Sequence, residues 1–172
     1  MSFRSIKVHH FTTILAILLS GCATNSGPLF TQPAEAANEK AIVYIYRTND
    51  EYRQAMESYQ PKVYVDEQPS TVITRNGYST LYLEPGVHNL TIQYKTGICK
   101  KEGVENMDVK NEFRNNSVSY YRIDIALEKV DEKVIASNPY AHLCLQWITT
   151  IKPVSEKDAL IELKNTRLVI NN

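Results

Sequence analysis

The chain has no surplus of either charge: 19 Lys and Arg stand against 19 Asp and Glu in 172 residues. With no excess of cations to neutralise phosphates, nucleic acid is not an expected partner. Apolar runs as long as the roughly 18 residues of a membrane-spanning helix are missing. Composition also excludes polytopic membrane, coiled-coil and collagen-like classes. Six glycines and three cysteines supply no glycine-rich dinucleotide loop, no Walker motif and no CxxC pair. HExxH and GxSxG are missing too. No catalytic residue, metal or cofactor is therefore expected. Tryptophan occurs once and phenylalanine four times, whereas tyrosine occurs 11 times. What remains is 43% hydrophobic and 22% charged residues, the balance of a folded globular domain.

The first 21 residues read as an export signal. Arg4 and Lys7 form a positive start, and residues 11–19 (FTTILAILL) are mostly apolar. As a helix of about 1.5 Å per residue, that stretch covers about 14 Å, roughly half of a hydrocarbon core. It reads as a removable signal and not as a span. Leu19-Ser20-Gly21-Cys22 resembles the bacterial lipobox at all four positions. The resemblance implies cleavage before Cys22, a diacylglyceryl thioether on its thiolate and acylation of its freed amine by palmitate-like chains. One chain binds a membrane only reversibly, whereas two or three anchor firmly. The alternative is an ordinary signal-peptidase site with Cys22 incidental. Ala23 follows. By resemblance to enterobacterial lipoproteins, a residue other than Asp there implies the outer membrane, periplasmic side. Cleavage removes Arg4 and Lys7 and no acid, leaving two more acidic than basic side chains. Such a surface gains nothing from anionic head groups, so the acyl chains on Cys22 must do the anchoring.

Residues 22–40 then form the lipidated cysteine and a tether. The stretch 23–40 is rich in Ala, Pro, Asn, Ser and Thr, with only Leu29 and Phe30 bulky and apolar. A flexible chain of that length reaches roughly 20–25 Å. Docking of Leu29 and Phe30 on the domain or on a partner is the other reading.

From residue 41 the pattern has period two, and 41–172 reads as one domain. Strands are expected at 41–47, 62–66, 70–75, 78–84, 87–94, 107–113, 117–127 and 143–151. Asn76-Gly77 and Pro85-Gly86 are turn signals between them. Helices are expected at 49–59 and at 155–164. The second has Ser155 as N-cap, Asp158 three residues on, and an apolar stripe of Ala159, Leu160 and Leu163. Pro153 is expected to block continuation of the last strand, and the final helix to cover a sheet edge or end. The fold class is all-β: an Ig-like or transthyretin-like antiparallel sandwich of about seven or eight strands with a short C-terminal helix. Its expected core is Val63, Val65, Leu81, Leu83, Leu90, Ile92, Ile123, Ile125, Leu143, Leu145 and Trp147.

The run Val63-Tyr64-Val65-Asp66-Glu67, with Gly77-Tyr78 and Leu81 through Pro85-Gly86-Val87-His88, resembles the PEGA-type surface-layer module. Glu67 stands where that module has Gly, so the first turn departs from its pattern. The order of lipobox, Gly27-Pro28-Leu29, the 41–47 strand (AIVYIYR), the Pro-Gly hairpin and the final helix resembles an uncharacterised group of proteobacterial lipoproteins. Their shared domain has no known function, so the resemblance implies fold and location but no activity.

Four groups of side chains remain. Cys99 and Cys144 are an even pair in an exported chain, which favours a disulfide over two separate thiols. Closing their loop of about 46 residues would contribute roughly 3–4 kcal/mol. His88 and His142 are the histidines of the mature chain, and each reads as structural or exposed. A hydrolase centred on either needs a neighbouring carboxylate or nucleophile in a concave pocket. Glu102, Glu105, Asp108 and Glu112 lack the spacing of a calcium loop and read as a solvated loop. Tyr44, Tyr46, Tyr64 and Tyr82 alternate with core positions and would share a sheet face if their strands are neighbours. That face is either a partly covered aromatic layer or a platform for a sugar or a protein partner. The expectation is a non-enzymatic, lipid-anchored envelope protein with a protein or glycan partner.

Overall fold

Seven residues of strand β1 (Ala41–Arg47) are buried from end to end. A strand covered on both faces needs apolar side chains at odd and even positions alike, and AIVYIYR supplies them. The structure, a computed structural model, describes residues 26–31, 39–48, 60–95, 104–128 and 146–170. Those residues add β2 (Lys62–Val65), β3 (Gln68–Val72), β4 (Gly77–Leu83), β5 (Gly86–Lys95), β6 (Val104–Phe113), β7 (Val118–Glu128), β8 (Gln146–Val154), helix α1 (Glu156–Leu163) and β9 (Arg167–Leu168).

The strands form two sheets. One has the order β8-β7-β1-β4-β9 and the other β3-β2-β5-β6. Neighbours are antiparallel except β1 with β7 and β4 with β9, which run parallel. The fold is an all-β sandwich with a short C-terminal helix. Ala41, Val43 and Ile45 of β1 meet Val63, Leu90 and Ile92 of the facing sheet, with Leu81, Leu83, Ile123 and Ile125 completing the layer. Each valine, leucine or isoleucine among them, when fully buried, stabilises the fold by about 1.5–3 kcal/mol relative to exposure. Val65 packs against this core from its margin. Trp147 lies within β8, whereas Leu143 and Leu145 fall outside the described residues, as does the helix expected at 49–59.

A second apolar layer covers the other face of the five-stranded sheet. Ile42, Tyr44, Tyr46, Tyr78 and Tyr120 meet Ala159 and Leu163 of α1. The expected placement of the helix at a sheet edge or end is thus corrected: it lies on the face, because the tyrosines of β1 give it an apolar bed. Its start follows the sequence signal, with Ser155 Oγ accepting from the Asp158 amide. Its outer turn is clipped by Glu162, which accepts from Tyr46 Oη at 2.6 Å and from the Arg122 guanidinium. Pro153 also corrects an expectation. It stands inside β8, opposite Tyr121, and β8 is an edge strand, where a missing N–H costs no ladder bond.

Residues 26–31 are not a free linker. The Gly27 amide donates to Leu168 O at 3.1 Å, Leu168 N to Pro28 O at 3.0 Å, and Phe30 N to Thr166 O at 3.0 Å. This strap lies antiparallel to β9, with Leu29 bridging Arg167. A Cβ at Gly27 would stand 2.6 Å from the Leu168 carbonyl oxygen, so only glycine lets the two backbones close. Phe30 is buried in the second layer, edge-on to Tyr78 with centroids 5.4 Å apart. Of the two residues expected as candidates for docking, Phe30 is seated on the domain and the Leu29 side chain is half-exposed.

Candidate functional site

The outward face of the four-stranded sheet is polar. Its strands alternate: Val63, Leu90, Ile92 and Val109 point to the core, while Tyr64, Thr91, Gln93 and Asp108 point away. Register places Thr91 of β5 opposite both Tyr64 of β2 and Asp108 of β6. Gln93 is opposite Asn106 one row further on. These side chains, with Asn89 and Glu67, line an open groove of about 350 Å³.

Hydrogen bonds pre-arrange the lining. Tyr64 Oη donates to Gln93 Oε1 at 3.2 Å, and Gln93 Nε2 donates to Asn106 Oδ1 at 3.5 Å. Thr91 Oγ1 donates to Asp108 Oδ1 at 2.5 Å and accepts from Asn89 Nδ2 at 3.4 Å. An aromatic edge, three carboxamides, a hydroxyl and two carboxylates therefore sit on one rigid sheet. Carboxamides present donors and acceptors side by side, which suits a ligand whose hydroxyls do both. The lining itself holds two acids, and Lys62 and Lys110 flank it from positions opposite Gln93 and Asn89, so the face carries both signs of charge.

At one end the groove meets the β2–β3 turn, whose Glu67 lines it. Asp66 and Glu67 join β2 to β3 with φ of 48° and 67°, the left-handed pair of a two-residue hairpin. Asp66 Oδ1 accepts from the Asn89 amide at 2.9 Å, and Oδ2 meets His88 Nδ1 at 2.6 Å. His88 Nε2 meets the Glu84 carbonyl at 2.8 Å. Both partners can only accept, so both ring nitrogens donate and the imidazolium form is favoured. The Asp66 contact, with the Glu84 carbonyl adding to it, raises the His88 pKa above its usual value. The Asn89 amide, then His88, lowers that of Asp66. A ring held this way has no lone pair to take a proton, so His88 ties the β2–β3 hairpin to the β4–β5 connection between the two sheets.

Of the two readings of the tyrosines, the covered aromatic layer describes Tyr44 and Tyr46, and the shared platform is not formed. Tyr44 and Tyr46 are buried beneath α1 and Phe30. Tyr82 shares their sheet but is 51% exposed, and Tyr64 belongs to the other sheet. The four do not form one exposed face, because β1 and β2 fall in different layers. Burial pushes the phenol of Tyr120 up to about 12, in keeping with an aromatic layer closed to solvent. Glu105, Asp108 and Glu112, expected in a solvated loop, lie on β6, and Glu102 falls outside the described residues. The amide row of Asn89, Gln93 and Asn106 went unremarked in the sequence. Its outward alternation on 87–94 was visible, but not the strand that would face it.

Cys22, Cys99, Cys144 and His142 lie outside the described residues. Among the described residues no group of three or more His, Cys, Asp or Glu could hold a metal ion, and no helix is long and apolar enough to cross a membrane. Comparison of the chain with protein families, with curated proteins and with solved structures finds no match.

Proposed function

We propose that the chain is an exported lipoprotein, anchored through acyl chains on Cys22 to the periplasmic side of the outer membrane, whose β-sandwich has a non-enzymatic binding or envelope-structural role. Leu19-Ser20-Gly21-Cys22 behind a short apolar segment supports the anchor. The resemblances to proteobacterial lipoproteins and to PEGA-type modules point the same way. Export into an oxidising compartment would also favour a bridge between Cys99 and Cys144.

The observation that carries the binding role is the groove: a pre-bonded row of carboxamides beside Tyr64 on a sheet face that no other element covers among the described residues. A second reading follows from its chemistry. Neutral glycan, including the strands of peptidoglycan, offers paired hydroxyls for Asn89, Gln93 and Asn106 and an apolar ring face for Tyr64. Retention of the purified domain on peptidoglycan sacculi tests this. Retention lost on Tyr64→Ala and Asn106→Ala, in proteins that still melt cooperatively, supports the glycan reading. Absence of retention by the unaltered domain removes it and leaves a protein partner for the same face.

A further inference from the structure

The strap shortens the path from the anchor to the domain. A free tether would leave 19 residue steps between Cys22 and Ala41, about 65 Å when extended. Ser26, however, begins the segment seated against β9, through Gly27 on Leu168 and Phe30 between Tyr44 and Tyr78. Only Ala23, Thr24 and Asn25 then separate Cys22 from the docked chain. Four residue steps span at most about 14 Å.

The strap and the groove lie on opposite sides of the sandwich. The strap flanks β9, one edge of the five-stranded sheet, and Phe30 enters that sheet's outer layer. The groove occupies the outer face of the other sheet. It extends towards β6, whose Met107 Sδ accepts from the Ile151 amide of β8, at the edge remote from β9. Sheets pack about 10 Å apart, and an outer layer of side chains adds to that thickness. Turning the groove onto the bilayer would use up the whole leash.

We infer that Ser26–Thr31 is an orienting strap, which holds the β9 and α1 side of the domain beside the lipid surface and points the polar groove away from it. The inference rests on the proposed lipidation of Cys22 and deepens it. A long flexible stalk would let the domain tumble, whereas a short strap fixes which face meets a partner in the periplasm.

The test uses the acylated full chain in phosphatidylethanolamine and phosphatidylglycerol vesicles that carry a nitroxide quencher on the head group. A fluorescent amino acid replaces Lys164, next to the strap's partner Thr166, or Lys110, beside the groove on β6. The expected result is loss of emission from the Lys164 probe and retained emission from the Lys110 probe. A Gly-Ser spacer inserted between Asn25 and Ser26 should make the two alike. Equal quenching without the spacer, or stronger quenching at Lys110, overturns the orientation while leaving lipidation intact. Absence of labelled palmitate from Cys22 overturns the lipidation reading, and the inference with it.

Discussion

Phe30 meets Tyr44 edge-on, with ring centroids 5.5 Å apart and planes at 88°. The contact joins the strap to β1, the central strand of the five-stranded sheet. Phe30→Ala should therefore cost about 3 kcal/mol, as for a core phenylalanine. Leu29→Ala, at a half-exposed position, should change stability by less than about 0.5 kcal/mol. Urea denaturation of a secreted Cys22→Ser form compares the two. Equal effects would mean that the strap is not part of the folded unit.

Glu162 ties the helix to the sheet through Tyr46 and Arg122. Arg122 is held in turn by Asp124, 2.6 Å away. Removing Glu162 leaves a buried phenol and a half-buried guanidinium short of an acceptor. Glu162→Ala should cost about 2–3 kcal/mol. Amide exchange over Glu156–Leu163 should quicken ahead of exchange in β1. Uniform quickening would place the effect elsewhere.

Glu67 sits at φ 67° in the hairpin between β2 and β3. A side chain there costs about 1–2 kcal/mol of backbone strain, against which glycine's extra freedom in the unfolded chain weighs about 0.5–1 kcal/mol. Glu67→Gly should raise stability by about 0.5–1 kcal/mol in a thermal melt. A lower melting temperature would show that the Glu67 side chain is needed in the groove wall.

Strands were legible where one chain segment carries its own signal. The 41–47 run announced a strand, Asn76-Gly77 a turn, and Ser155 with Asp158 a helix start. What escaped depends on partners far along the chain. The strap reads as linker because its hydrogen-bonding partners, residues 166–168, lie at the other end of the sequence. Tyr44 and Tyr64 look alike in alternation, yet one is capped by α1 and the other faces solvent. Which sheet a strand joins is decided by non-local pairing, such as the parallel match of β1 with β7. The groove was missed for the same reason: Asn106 and Gln93 become neighbours only when β6 folds onto β5.

His88 and Asp66 make the hairpin clamp pH-sensitive. The His88 pKa is raised in the folded chain above its ordinary 6.5. Its stabilisation is complete below that value and is lost as pH rises through the folded pKa. The Asp66 pKa is depressed below its ordinary 3.8. Its stabilisation is complete above that value and is lost as pH falls through the folded pKa. The pair stabilises most between pH 3.8 and 6.5. Solvent exposure of Asp66 keeps the effect small. His88→Gln should flatten the decline in melting temperature above pH 6.5. An unchanged slope would show that another group sets it.

Proposed anchoring, location and orientation all turn on the chemistry of Cys22. Intact-mass and N-terminal peptide spectrometry of protein extracted from membranes measures this directly. The predicted species begins at residue 22 and carries a diacylglyceryl thioether with an acylated amine. A chain still beginning at Met1, with an unmodified thiol at Cys22, would contradict the account.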